Sequence, residues 1–203
     1  MRHVRATEAA KAGVGDKPAV GRRTALKAAV ALGVGICSSR SAALGQDDQT
    51  ILRPQAGDWL IKIGDASLTP LTPDAIPVAA QQMMAWAMDP RSGAVRSGSR
   101  LNRVLLLRFD PDTLVADTRG RAAGGVVAYT AICTHNGCEV TDWLGEDQTL
   151  SCPCHATRFD PKNGARVLDG PAPRPLPALP LALAEGKLVV SRPFTTRVGF
   201  ELA

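Results

Sequence analysis

Short apolar runs separated by turn-forming residues set the outline of this chain. Residues 103–109, RVLLLRF, carry four successive aliphatic positions between two arginines and predict a strand. Residues 58–64 (DWLIKIG), 149–152 (TLSC), 165–170 (ARVLDG) and 187–191 (KLVVS) predict further strands. Residues 126–133 (VVAYTAIC) predict a strand that runs straight into Cys133. The stretch 81–88, QQMMAWAM, fits either a short helix or a strand. The turn-forming DPRSG over 89–93 favours the strand, with Met83, Met84, Trp86 and Met88 as core residues. Between these lie a connector with three prolines (66–78), a loop excursion (110–125) and a segment with five prolines in eleven residues (171–181). The last of these excludes a central strand or a helix. The pattern predicts an all-β protein, without internal repeat or coiled coil.

Composition narrows this further. The chain has 203 residues, with 19 glycines and 15 prolines, enough for one good core plus a tail. Its formal charge of +5 belongs to the tail. Residues 1–45 hold eight basic and two acidic groups, leaving sixteen basic and seventeen acidic groups for residues 46–203. A nucleic-acid partner needs a basic excess on the folded part, and none exists.

The tail has its own pattern. Paired Arg22 and Arg23 precede Thr24, Ala25, Leu26 and Lys27, and an apolar run follows from Ala28 to Cys37. At about ten residues the run is half of what a spanning helix needs. The tail resembles a twin-arginine export signal, with Ala25 where phenylalanine is usual. Residues 1–45 are therefore expected to engage the twin-arginine translocase. The chain would then reach the periplasm, or the periplasmic face of a bacterial inner membrane, with the signal cleaved near Gln46 or kept as an anchor.

The candidate chemistry is concentrated. Apart from His3 and Cys37 in the tail, every histidine and cysteine lies in two short stretches, ICTHNGCEV (132–140) and SCPCHA (151–156). Four cysteines and two histidines in two loops point to a metal site. A zinc site would leave two cysteines spare and would make unusual use of the Cys-x-His pair.

The pattern Cys133-x-His135, then sixteen residues, then Cys152-x-x-His155 resembles the Rieske iron–sulfur family. CTHNGC and CPCHATRFD match its two loops, and GPAPRPLP (170–177) resembles its proline loop. The resemblance covers residues 100–192 well and 50–100 loosely. It implies an antiparallel β-sandwich base over 46–203 with a cluster-binding subdomain at about 130–170. It also implies one [2Fe–2S] cluster, with Cys133 and Cys152 on one iron and His135 and His155 on the other. Cys138 and Cys154 then pair as a disulfide that staples the loops, which an oxidising compartment permits. Gly170, Pro171 and Pro173 form a lid, Gly137 makes a tight turn, and Asp160 orders the second loop. A Rieske-type oxygenase needs two further histidines and a carboxylate at a separate oxygen-activating iron, and apart from His3 the chain has no further histidine. The implied role is therefore electron relay, with no catalysis expected of the chain alone.

Departures from the family pattern modify that role. Quinol:cytochrome c reductase members carry Gly-Ser-x-Tyr after the second histidine, where this chain has Ala156, Thr157, Arg158 and Phe159. Thr157 still offers a hydroxyl to a bridging sulfide, but Phe159 cannot donate to a cysteine sulfur. Donors to sulfur stabilise the reduced cluster, so the potential is expected below that of the Ser/Tyr members and above the all-cysteine range. Asn136 replaces the usual leucine at the docking tip, which implies a different docking partner. Besides a stand-alone ferredoxin-like carrier, two settings remain open. One is the iron–sulfur subunit of a quinol-oxidising bc-type membrane complex that passes electrons to a cytochrome. The other is the small subunit of a periplasmic molybdenum oxidase of the arsenite oxidase type.

Overall fold

The computed structural model describes residues 46–200. The expected export signal, with Arg22, Arg23 and Cys37, lies outside the described residues. Among the described residues, ten strands form two antiparallel sheets. β1 (Trp59–Lys62), β2 (Met83–Met88), β3 (Val104–Arg108), β4 (Val126–Thr130), β9 (Leu181–Ala184) and β10 (Lys187–Val190) make a six-stranded sheet in the order β4-β3-β2-β1-β10-β9. β5 (Asp142–Leu144), β6 (Thr149–Cys152), β7 (Thr157–Asp160) and β8 (Arg166–Asp169) make a four-stranded meander inserted between β4 and β9. Helix is minor: α1 (Gln46–Ile51) and α2 (Ala116–Arg119) are the α-helices of the described residues. None of these is long and apolar enough to cross a membrane.

The continuous apolar run in β3 has a direct cause. Successive side chains of a strand point to opposite faces, and both faces of β3 are covered. Val104 and Leu106 join Leu60, Ala85, Leu188 and Val190 in one core. Leu105 and Leu107 join Val127, Tyr129, Leu150 and Phe159 in another. Register pairs Leu105 with Tyr129 and Leu106 with Ala128, so β4 divides its side chains in the same way. The first core is the inside of the six-stranded sheet. The second lies between that sheet and the meander, and it contains Cys133 and Cys152. Each large aliphatic side chain taken fully out of water contributes about 1.5–3 kcal/mol.

The proline-rich segment closes the large sheet. Leu179 N–H donates to Ala128 C=O at 2.9 Å, and Thr130 N–H donates to Pro177 C=O at 3.0 Å. The chain thus runs along the edge of β4 just before entering β9. Prolines fit there because their carbonyls accept while their missing N–H is not needed. Residues 81–88 form a strand, as their pattern favours, over Met83–Met88. Three strands are not foreseen by the pattern. β5 and β9 are short, with mostly exposed residues. β7 hides inside what reads as the second ligand loop.

The tryptophans pack. Trp143 lies 6.3 Å from Phe109, Arg103 stacks over Trp86 at 5.6 Å, and Lys187 over Trp59 at 4.5 Å. The chain just before β1 is held by a buried ion pair. Arg96 Nε and Nη2 meet the Asp58 carboxylate at 3.1 and 3.2 Å.

Candidate metal centre

Both cysteine–histidine loops are hairpin tips at one end of the second core. The first continues β4. Val140 N–H donates to Ala131 C=O and Cys133 N–H to Cys138 C=O, both at 2.8 Å, so the chain leaves at Cys133 and returns at Cys138. Gly137 turns it with φ +72°, the left-handed region that glycine enters without strain. The second is the β6–β7 hairpin, closed by the pair Cys152 and Thr157. Its four turn residues, Pro153 to Ala156, are exposed. A disulfide joins Cys138 to Cys154 and so links the tips.

The four remaining donors separate by chemistry. Cys133 and Cys152 are free thiols, 1% and 2% exposed. His155 is exposed and His135 half-buried. Their Nδ1 atoms face each other at 3.2 Å, with the rings nearly perpendicular at 80°. The sulfurs therefore sit inward and the imidazoles outward. Burial pushes the Cys133 thiol up to about 11, and the adjacent Cys152 sulfur pushes the same way. The backbone N–H groups of His135 and Asn136 donate to that sulfur and pull it down. The sulfurs of Cys138, Cys152 and Cys154 also lie within 4.8 Å of one another. Two of those three are bonded to each other, so they offer no thiolate to a metal.

Residues 86–180 match the family model of the Rieske [2Fe-2S] domain. The chain carries a Rieske domain. Among its relatives is a subunit named as the Rieske subunit of a respiratory nitrate reductase of Haloferax mediterranei, 47% identical over 76 residues. That alignment covers 37% of this chain and 34% of the relative. The cytochrome bc1 complex Rieske iron-sulfur subunit of Streptomyces lividans is 37% identical over 99 residues, 47% of this chain and 58% of the relative. The chain thus spans between a third and three fifths of these two curated relatives. The cyanobacterial plasma membrane Rieske protein of Synechocystis aligns with a TM-score of 0.35 and 22% identity, over 67% of this chain and 96% of that one.

The cofactor of a Rieske domain is a [2Fe–2S] cluster, and the residues present fit one. The two thiols interact with each other, the two imidazoles face each other, and the Nδ1 separation is close to the ~3.4 Å expected of two nitrogens each about 2.1 Å from one tetrahedral metal. A further sign is Thr157, which is fully buried while its Oγ1 has no hydrogen-bond partner among the described residues. Buried hydroxyls are nearly always satisfied, so this one is poised to donate to an acceptor such as a bridging sulfide.

The other residues singled out by the sequence take distinct places. Phe159 is fully buried in the core that holds Cys133 and Cys152. Gly170 (φ +96°) packs directly on Thr157, while Pro171 and Pro173 are exposed around buried Ala172. Asp160 accepts from Lys162 N–H at 3.1 Å and faces Arg166 at 3.5 Å, so it orders the turn after β7. Arg174 is half-buried and donates to Gly199 C=O at 2.6 Å.

Contacts that tie the loops together leave no mark in local spacing. Thr134 Oγ1 donates to Arg174 C=O at 2.6 Å and fastens the first loop to the proline segment. Arg100 donates to Gly137 C=O. A β-carbon at Gly137 would lie 3.0 Å from the Phe200 ring, so Phe200 packs on the same turn. The Cys-x-His-x-x-Cys spacing could have flagged Thr134 as a loop residue, but nothing in it names the partner.

Proposed function

We propose that this chain is an exported one-electron carrier, the iron–sulfur subunit of a quinol-oxidising bc-type respiratory complex or a relative of it. Deprotonated Cys133 and Cys152 would hold the inner iron of the cluster, and neutral His135 and His155 the outer one through Nδ1. A bound cluster of this type supplies a one-electron couple at a potential above that of all-cysteine centres. The observation that carries the reading is the pair of facing Nδ1 atoms at the surface above two buried thiols.

The chain's residues divide the remaining work. Because each Nδ1 faces inward, Nε2 is the nitrogen left to exchange a proton with a donor or with water, most directly in exposed His155. The Cys138–Cys154 disulfide and the Gly170–Ala172 lid keep water from the buried thiols. Asn136, exposed at the tip, selects a docking partner with polar complementarity. Supporting this reading are the bc1 subunit relatives; the donor is then a quinol-oxidising membrane subunit and the acceptor a cytochrome.

A second reading has its own support in the relative named for a respiratory nitrate reductase. There the chain is a small electron-transfer subunit of a terminal enzyme, as in a periplasmic molybdenum oxidase of the arsenite oxidase type. Both readings place the chain in the periplasm or on the periplasmic face of the inner membrane after export by the twin-arginine translocase.

EPR of the reduced protein with a redox titration tests the cluster assignment. A mixed-ligand two-iron signal, lost in His155→Ser and Cys152→Ser, is expected. A zinc-loaded or colourless protein, or a signal that survives both changes, overturns it. Co-purification with a cytochrome b rather than a molybdenum subunit separates the two settings.

A further inference from the structure

Away from the cluster loops, two adjoining cavities of about 560 and 360 Å³ share Arg121 and Thr195 as common walls. Together they form a groove between α2, the turn after β7, the proline segment and residues 192–196. Four arginines line it: Arg121 and Arg192 in the larger cavity, Arg121, Arg166 and Arg174 in the smaller. Asp117 is the one carboxylate that lines it. Arg166 faces Asp160 at 3.5 Å and Arg174 is bonded to Gly199 C=O. Arg121 and Arg192 make no ion pair or side-chain hydrogen bond among the described residues. This is a local concentration, because residues 46–203 as a whole carry one more acidic than basic group.

We propose that this groove docks an extended acidic segment of a partner protein, with Arg121 and Arg192 as its principal contacts. The inference goes beyond the electron-transfer reading and does not depend on it.

The floor argues for a side-chain carboxylate ligand over a small oxyanion. Many small-oxyanion sites are built from converging backbone N–H groups. Here Pro175, Pro177, Pro180 and Pro193 carry none. The N–H groups of Leu176, Ala178 and Thr195 are committed to Ala165 C=O, Thr195 Oγ1 and Ala178 C=O. What the groove offers is guanidinium groups set along an open channel between apolar proline rings. That suits carboxylates spaced along a chain, each gripped by a planar fork. The chain's own residues 1–45 hold eight basic and two acidic groups, so repulsion excludes them as the occupant. The groove also borders the cluster region, since Arg174 in its wall accepts from Thr134 through its carbonyl.

The test uses the full cluster-loaded chain and fluorescence anisotropy of a labelled glutamate-rich peptide, with a glutamine-for-glutamate peptide beside it. The acidic peptide is expected to bind at least tenfold more tightly than the neutral one, and more weakly as salt rises. Arg121→Glu combined with Arg192→Glu is expected to lower its affinity at least tenfold with an unchanged melting curve. Arg192→Gln, at an exposed position, gives a smaller loss if the double variant misfolds. Arg91→Glu, whose side chain is 94% exposed elsewhere, leaves binding unchanged. Equal binding of both peptides, no binding, or an equal loss in Arg91→Glu overturns the proposal. So does tighter capture of inorganic phosphate or of phosphatidylglycerol vesicles than of the peptide by the same arginines.

Discussion

Gly170 lies so close to Thr157 that a β-carbon added to it would stand 2.5 Å from Thr157 Cα and 2.8 Å from its hydroxyl oxygen. The proposed lid of the centre is thus in backbone contact with the strand that carries the unpaired hydroxyl. Gly170 also has φ +96°, where side chains are strained. Gly170→Ala is expected to lift the lid and destabilise the fold by about 1–3 kcal/mol. Thermal unfolding reads the stability, and bleaching of the cluster absorbance over time reads the opened lid.

Thr157 tests whether its hydroxyl serves a cofactor or the fold. Its Oγ1 is buried and lacks a partner among the described residues, so Thr157→Val removes an unmet polar group of similar shape. The apo-protein is expected to be as stable as the parent or slightly more so. The loaded protein is expected to lose one donor to the reduced cluster, and its potential to fall. A bond of about 1 kcal/mol corresponds to ~40 mV for one electron. Protein-film voltammetry beside melting of the apo-protein separates the two effects. An unchanged potential would sink the assignment.

Phe159 tests the missing donor from the other side. The ring is fully buried among the residues around Cys133 and Cys152. Phe159→Tyr adds a phenol there, and a hydroxyl that reaches a ligand sulfur raises the potential by ~40 mV on the same conversion. A lowered or unmoved potential in voltammetry contradicts this account of tuning.

The disulfide offers a stability prediction. Cys138 and Cys154 are 16 residues apart, and closing a loop of that length contributes about 3 kcal/mol in the chain-entropy model. Cys154 is exposed, so a water-soluble phosphine reaches it. Reduction is expected to lower stability by about that amount and to match the Cys138→Ser, Cys154→Ser double variant. Denaturant titrations of the three samples check it.

Tyr129 gives a pH prediction. Its hydroxyl donates to Pro161 C=O at 2.7 Å, and burial pushes the phenol well above its ordinary range. The unfolded phenol loses its proton near pH 10 while the folded one keeps it. The folded pKa is raised, so the stability contribution is whole below about pH 10 and falls as pH climbs toward the folded value. Tyr129→Phe is expected to cost about 1 kcal/mol at neutral pH. It should also flatten the decline above pH 10, as denaturant titrations from pH 8 to 11 would show.

Sequence alone determined the all-β class and the donor chemistry. Both are local. Short apolar runs broken by glycine and proline cannot build long helices, and a thiol two or three residues from an imidazole, twice in one chain, announces a mixed-donor centre whatever the fold. It did not separate sulfur from nitrogen in depth, because Cys133 and His135 are two residues apart and only the strand register says which of them points into the core. It missed β7, because a strand that begins two residues after His155 reads as part of the loop. Tertiary structure alone decided that β3 serves two cores, that Thr134 holds the proline segment through Arg174, that Phe200 packs on Gly137, and that Arg121 and Arg192 share a groove. Each of those contacts joins residues far apart in the chain. They meet because the six-stranded sheet closes through Pro177 and Leu179 onto β4, a result of cooperative packing that no short stretch of residues encodes.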